Sequence, residues 1–363
     1  MLRYITILIL PYLVLLLDIF RNLLNIRKFE SSVSASEFVS VVIACRNEQN
    51  NLPRLLNSLA LQNYRRELYE VIIVDDNSTD KTQQVAQIFR NIIDLKVIRN
   101  TGEGKKMALK TGIDAASAEL ILTTDADCEV GADWIRTITS FYEIHKPDLI
   151  ICPVKLRPQY GFFGKFQELE FLSLQGITAG TATAGYGTMC NGANLAFSKT
   201  AYHSNKKNLR FDIATGDDVF LLHSMKKQHA KISWFESPEV VIETEAAPTI
   251  TSFFRQRRRW ASKATAYKDK YSIGLGIVTF VTNLIQAILM VAMIFEPELI
   301  KTFLFVFVIK SIPDFLILSN TTTRYDRTSL MKWFLPSQLF YPFYVLIVAG
   351  LSLFSPKSSG IGR

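Results

Sequence analysis

Four long apolar stretches set the first constraint on how this chain of 363 residues folds. One lies near the start, at residues 4–20, and three lie near the end, at 273–295, 302–318 and 334–354. A helix crossing a bilayer needs roughly 20 apolar residues, with a lower limit near 17. The second and fourth stretches meet that length comfortably; the first and third meet it narrowly. The first carries Pro11 and Asp18. The third carries Lys310 and Asp314, four residues apart, so on a helix they share a face and can pair. Charges at membrane depth usually face a bundle interior. A re-entrant or interfacial hairpin is the other form open to this stretch.

The charges beside these stretches give an orientation. Arg21, Arg27 and Lys28 follow the first one, and no small-x-small cleavage pattern stands directly after it. It therefore reads as a retained anchor rather than a signal peptide. If all four span, Arg324, Arg327 and Lys332 fall on that same side, and the mostly acidic link 296–301 falls on the other. The expected layout is an N-terminal transmembrane helix over 1–24, a cytosolic domain over 31–271, and two to three transmembrane helices over 273–356. The net charge of +8 suits an anionic membrane surface or phosphorylated substrates. There is no RNP-type or zinc-finger pattern, so nucleic acid is not an expected partner. Cys45, Cys128, Cys152 and Cys190 form no CxxC pair and lie in or beside apolar runs. They read as buried free thiols, which suits a reducing compartment.

Between the apolar ends the pattern alternates strand, turn and helix. Residues 39–44, 71–74, 95–98, 119–124 and 149–152 are short apolar, largely β-branched runs. Helical spacing is clearest over 51–61, where Leu52, Leu55, Leu56 and Leu59 share a face. Further helices are expected through 89, over 105–116 and over 132–145. This alternation predicts an α/β fold, an open, mostly parallel sheet with helices on both faces. Ligands of such sheets bind beyond the carboxyl ends of the strands. No GxGxxG is present, and Gly102-Glu103-Gly104-Lys105-Lys106 lacks P-loop spacing, which argues against a nicotinamide dehydrogenase or a P-loop NTPase.

Three acidic groups fall at element ends. Asp125-Ala126-Asp127 follows the fourth strand and suits Mg2+ or Mn2+, which takes one or two carboxylates plus substrate phosphates. Asp75-Asp76 ends the second strand, where a carboxylate can accept from a base or ribose; Asp76 or Asn77 could instead cap the next helix. Thr215-Gly216-Asp217-Asp218 opens a helical stretch over 219–227, as caps or as a base beside a like charge. Gln256-Arg257-Arg258-Arg259-Trp260 sits in a segment, 251–267, that reads as an interfacial helix. On it Gln256, Arg259 and Trp260 share a face; an arginine suits a diphosphate and the Trp suits stacking on a sugar. A second interfacial helix is expected over 162–174, with core packing the alternative.

Taken together, these residues resemble family-2 glycosyltransferases of the cellulose-, chitin- and hyaluronan-synthase type, over about residues 38–271. Residues 41–48 resemble the first strand and nucleotide loop, with Ala44 where proline is usual. Residues 74–80 resemble the uridine-binding segment. Gly104-Lys105, with Ala108, Leu109 and Gly112, resembles the lysine-bearing helix. Asp125-Ala126-Asp127 resembles the metal motif, residues 191–197 the acceptor-site strand, and Gln256–Trp260 the Gln-x-x-Arg-Trp motif. Thr215-Gly216-Asp217-Asp218 resembles a Gly-Glu-Asp motif with Asp217 in place of Glu.

The resemblance implies a GT-A-like, Rossmann-like fold and inverting transfer from a UDP-sugar to a lipid-linked or saccharide acceptor. It implies Asp218 as the base; Arg46, Glu48, Asp76, Lys105 and Asp125 at the donor; Asp127 and Asp125 at a Mg2+ or Mn2+ ion; and Gln256, Arg259, Trp260 and Asp217 at the acceptor and diphosphate. One apolar stretch before the catalytic domain and three after it resembles the layout of ceramide glucosyltransferases. The alternative is a processive polysaccharide synthase subunit that works with a small membrane partner. A non-catalytic membrane binding protein is a third reading, against which the intact Asp127, Asp218 and Trp260 stand.

Overall fold

The chain enters on helix α1 (Leu2–Leu24) and then builds β1 (Val39–Cys45), α2 (Leu52–Ala60), β2 (Tyr69–Asp75), α3 (Thr82–Ile88), β3 (Leu95–Arg99) and α4 (Lys105–Ala115). β4 (Leu120–Thr123), α5 (Trp134–His145), β5 (Leu149–Ile151), β6 (Val154–Leu156) and the long α6 (Gly161–Thr183) follow. β7 (Leu195–Ser198), α7 (Lys199–Asn205), α8 (Asp217–Lys227), β8 (Ile232–Trp234) and β9 (Ile242–Thr244) come next. The chain finishes on α9 (Ile250–Ser262), α10 (Lys270–Phe295), α11 (Ile300–Arg324) and α12 (Phe334–Leu353). This is a computed structural model, and it describes residues 2–29, 35–213 and 215–353. Residue 1, residues 31–34 and residues 354–356, at the ends of the three ranges expected from sequence, lie outside the described residues. The described residues divide into two compact units, an α/β unit within 27–157 and 189–245 and a helical unit within 2–26, 158–188 and 246–353.

In the α/β unit a seven-stranded sheet runs in the order β3-β2-β1-β4-β7-β5-β8. β1 pairs in parallel with β2 and with β4, and β2 pairs in parallel with β3. β1 and β2 are buried along nearly their whole length, which is why they read as continuous apolar runs rather than alternating ones. β7 runs against both β4 and β5. Its first residue, Leu195, pairs with Thr123, the last residue of β4. That antiparallel entry brings residues 191–194 to the edge where β1, β2 and β4 end.

Helix α4 lies close on β1 and β2 because it carries a glycine where it crosses them. A Cβ at Gly112 would stand 2.4 Å from Val42 Cγ1 and 2.9 Å from Val74 Cγ2. Both valines are fully buried and stiff at χ1, so neither yields easily. Gly112→Ala should therefore destabilise the α/β unit by about 1–3 kcal/mol. Thermal unfolding of the detergent-solubilised chain checks this, and a midpoint at or above the parent's would show that the valines move aside.

The helical unit holds α1, α6 and α9–α12. Among the described residues, four helices are long and apolar enough to cross a membrane: Arg3–Leu24, Lys270–Phe295, Pro297–Arg324 and Thr328–Leu353. The third apolar stretch is thus part of one continuous helix rather than a hairpin. Large apolar side chains such as Leu10, Val14, Ile277, Ile294, Val308, Phe340 and Ile347 lie exposed on these helices, as lipid-facing residues would.

Inside the bundle the charges of α11 are paired as its sequence spacing implies. Lys310 Nζ lies 2.9 Å from Asp314 and is fully buried. Lys310 also donates to Gln338 on α12, and Tyr12 on α1 donates to Asp314, so one polar cluster ties three helices together. α6 runs nine residues beyond 174, to Thr183. Its extension packs through glycines: a Cβ at Gly176 would meet Thr321 and Ile317, and one at Gly180 would meet Ile19, all within 2.7 Å. Such small residues carry close helix approach in apolar surroundings.

Candidate active site

The parallel strands β1, β2 and β4 deliver their carboxyl ends to one edge of the sheet. The loops after β1 and β2 are knitted together there. Asn47 N donates to Ser78 Oγ, Thr79 N to Asn47 Oδ1, Glu48 N to Thr82 Oγ1 and Gln49 N to Asp80. Asn47 and Asn77 both hold φ of 57°, a left-handed conformation that Asn tolerates better than most residues. The Glu48 carboxylate accepts from Asn51 Nδ2, and its carbonyl accepts from the amides of Asn51 and Leu52 where α2 begins. A polar cleft of about 440 Å3 lies beside these loops, lined by Asp75, Asn77, Ser78, Gln83 and Arg99 among others.

Asp76 is not a cap of α3. Its backbone N donates to Cys45 O, and its buried carboxylate accepts from Asn100 Nδ2 at 2.7 Å and from Gly104 N at 3.0 Å. Asp80 accepts from Thr82 instead. Asp76 thereby fixes the start of α4, where Gly104 holds a φ of 85° that only glycine adopts freely. Arg46 Nη1 lies 3.8 Å from Asp76. The next residue, Lys105, reaches across and places Nζ 2.5 Å from Asp125 Oδ1. Arg46, Asp76, Lys105 and Asp125, four of the five donor residues expected from sequence, are thus joined by contacts at this edge, and the fifth, Glu48, lies on the loop after β1.

Asp127 follows Asp125 at the end of β4, and its backbone carbonyl is held by Arg54 Nη2 at 3.0 Å. Among the described residues no group of three or more His, Cys, Asp or Glu side chains could hold a metal ion. Burial, reinforced by Asp125 and Asp127, pushes the Cys128 thiol pKa up, so the neighbouring sulfur stays protonated. Two carboxylates beside a thiol that stays protonated fit a hard ion that completes its shell from substrate phosphates.

On the other side of Asp125 the site continues through β7. Thr123 Oγ1 donates to Gly192 O, and Gly192 N donates to Asp218 Oδ2 at 3.2 Å. The second oxygen of Asp218 accepts from Val219 N. Asp217 and Asp218 begin α8 after Gly216, which also holds a φ of 85°. They line a small cavity of about 30 Å3 with Lys106, Thr123 and Gly192 among its walls. Lys106 gave no signal in the sequence beyond its lysine neighbour. It is buried and donates to three backbone carbonyls, of Leu209, Arg210 and Ile213, with its ammonium 4.7 Å from the Phe220 ring centre. Adjacent lysines on α4 therefore hold Asp125 and the segment leading to Asp218. Asn194, just before β7, is held structurally: Trp134 Nε1 donates to it, and it donates to the carbonyls of Pro153 and Val240.

Gln256, Arg259 and Trp260 belong to the helical unit, on α9, which opens with a Thr249–Ser252 capping box. Arg259 is exposed, and Gln256 and Trp260 are half-buried.

Residues 40–204 match the family model described as glycosyl transferase family 2. The chain carries a glycosyl transferase family 2 domain. The matched part of this domain holds Arg46, Asp76, Lys105, Asp125, Asp127 and Gly192; Asp217, Asp218 and the α9 residues lie beyond it. Beta-monoglucosyldiacylglycerol synthase of Nostoc is 27% identical over 246 residues, 65% of this chain and 51% of that protein. Poly-beta-1,6-N-acetyl-D-glucosamine synthase of Staphylococcus epidermidis is 27% identical over 250 residues, 67% of this chain and 57% of that protein. The chain thus spans little more than half the length of these relatives. The fold of the whole chain is similar to that of a mannosyltransferase of Pyrobaculum calidifontis, solved in complex with GDP-Man and Mn2+, with a TM-score of 0.58 at 17% identity. That likeness covers 98% of this chain and 99% of the other.

Proposed function

We propose that this chain is a membrane-embedded glycosyltransferase that moves a sugar, with inversion, from a UDP-sugar to a lipid-linked or saccharide acceptor. The observation that carries the reading is the single edge of the family 2 domain at which the Asp76–Gly104–Lys105–Asp125 contacts and the Gly192–Asp218 contact meet. Asp218 takes the proton from the acceptor hydroxyl, whose oxygen forms the bond to the anomeric carbon. The bond from that carbon to the diphosphate oxygen breaks on the opposite face, and UDP leaves. Asp127, with Asp125, would hold Mg2+ or Mn2+, whose chemistry is to neutralise charge on the departing diphosphate. Lys105 sits beside Asp125 as a second positive group for the donor. Arg46, Glu48 and Asp76 shape the nucleotide loops. Arg259 and Gln256 serve the diphosphate and acceptor, Trp260 offers its face to the acceptor, and Asp217 stands beside the base.

The acceptor side supports two versions. Four apolar helices suit a lipid-linked or short saccharide acceptor, whereas the similarity to poly-beta-1,6-N-acetyl-D-glucosamine synthase favours a processive enzyme; a small membrane partner would belong to that second version. Incubating the purified chain with UDP-sugars and a membrane extract, followed by mass spectrometry, separates them: one added sugar on a lipid or short glycan supports the first, a ladder the second. No transfer from any UDP-sugar would overturn the proposal.

The basic residues Arg21, Arg27 and Lys28, with Arg324, Arg327 and Lys332, place the α/β unit on the cytosolic side in this reading. A fluorescent reporter that folds only in the cytosol, fused after residue 150, should fluoresce. An export-dependent reporter active at the same position would reverse the orientation. Thiol labelling is a weaker test here, because Cys45, Cys128 and Cys152 are buried and Cys190 is partly so.

A further inference from the structure

Arg257 lies inside the Gln256–Trp260 segment but faces away from any ligand role. Its side chain is 3% exposed and forms a two-pronged ion pair with Glu170 of α6, Nε donating to Oε1 at 3.0 Å and Nη2 to Oε2. Tyr344 of α12 donates to the same Glu170 Oε1 at 2.8 Å. The guanidinium carbon lies 4.3 Å from the centre of the Trp260 ring and 4.5 Å from that of Phe253. Nη1 donates to the side-chain carbonyl of Gln256. One guanidinium therefore touches two of the three residues that the proposed function places at the acceptor. A lysine would satisfy the charge of Glu170 but supplies neither the planar fork nor the stacking face.

We propose that Arg257 is a positioning residue: Glu170, itself held by Tyr344, fixes its guanidinium as the platform on which Trp260 and Gln256 are set for the acceptor. This rests on the acceptor role proposed for Trp260. The apolar helix α12 and the motif helix α9 are coupled through it, beside the direct ring contacts of Tyr344 with Phe253 and Phe254.

The test uses the full chain in nanodiscs, labelled with 5-fluorotryptophan. Trp260→Phe identifies the Trp260 resonance among those of Trp134, Trp234 and Trp333. In Arg257→Lys, which keeps the charge, the Trp260 signal should shift while those of Trp134 and Trp234 stay, and Tyr344→Phe should produce a smaller shift of the same sign. UDP affinity, measured by calorimetry, should change less than about twofold, while transfer to the membrane-extract acceptor falls about 10- to 100-fold, as small misplacements of positioning groups do. In a Trp260→Ala background, Arg257→Lys should cost less than twofold further. An unmoved Trp260 signal, or losses that multiply in the double variant, overturns the positioning role and leaves that of Trp260 standing. If Trp260→Ala transfers sugar at the parental rate, the acceptor role of Trp260 fails and the positioning role with it.

Discussion

Asp218→Asn should keep UDP binding and lose sugar transfer by about 10²–10⁴-fold, the usual worth of a general base. The substitution removes the proton acceptor with little change of shape. Asp218 takes hydrogen bonds from Gly192 N and Val219 N, and the amide oxygen of Asn can still accept one of them. The donor contacts at Asp76, Lys105 and Asp125 involve other side chains, so UDP calorimetry reports whether the domain remains folded. Transfer at near the parental rate would move the base to Asp217, which begins the same helix. Loss of UDP binding in Asp218→Asn, with UDP binding retained in Asp76→Ala, would mean that the donor and acceptor halves are reversed. Asp76→Ala itself should weaken UDP binding, because it releases Gly104 and with it the start of the helix that carries Lys105.

Chelation should abolish donor turnover, and Mg2+ or Mn2+ should restore it. Asp127→Ala should lower turnover by about 10²-fold or more at saturating metal, since charge neutralisation by a bound ion is worth several kcal/mol and each 1.4 kcal/mol is about tenfold. Arg54 holds the Asp127 backbone carbonyl rather than its carboxylate, so the loop should survive the change. Calorimetric titration of Mn2+ in the presence of UDP should show binding in the parent and a weaker or absent signal in the variant. Full transfer by Asp127→Ala in excess chelator would remove the ion from the reaction.

The elements that were legible in the sequence are those whose signal is local. The leucines at 52, 55, 56 and 59 specify one buried face of α2, and all four are fully buried. The runs at 39–44 and 71–74 are parallel strands buried on both faces, which explains their lack of alternation. Lys310 and Asp314 pair because a helix brings residues four apart together. The carboxylates at 75–76 and 125–127 share an edge because parallel strands all end on one side. Other features are not local. The direction of β7 depends on where the chain returns after α6, and no periodicity records that. The nine residues added to α6 are rich in Gly, Ala and Thr, and they hold as helix because other helices pack closely on those small side chains.

By itself, the sequence determined the alternating strands and helices, the four apolar helices and the acidic residues at the strand ends, since each follows from spacing within a few residues. Only the tertiary structure decided what those residues touch. Asp76 meets Gly104 from 28 positions away, Lys106 meets the segment before Asp218 from over 100, and Arg257 meets Glu170 from 87. Nothing in the spacing of a chain encodes such meetings, because they arise when packed elements bring distant side chains within hydrogen-bonding reach. That is why Lys106 and Arg257 passed in the sequence as ordinary basic neighbours of Lys105 and Trp260, and why burial and partner geometry were needed to set them apart.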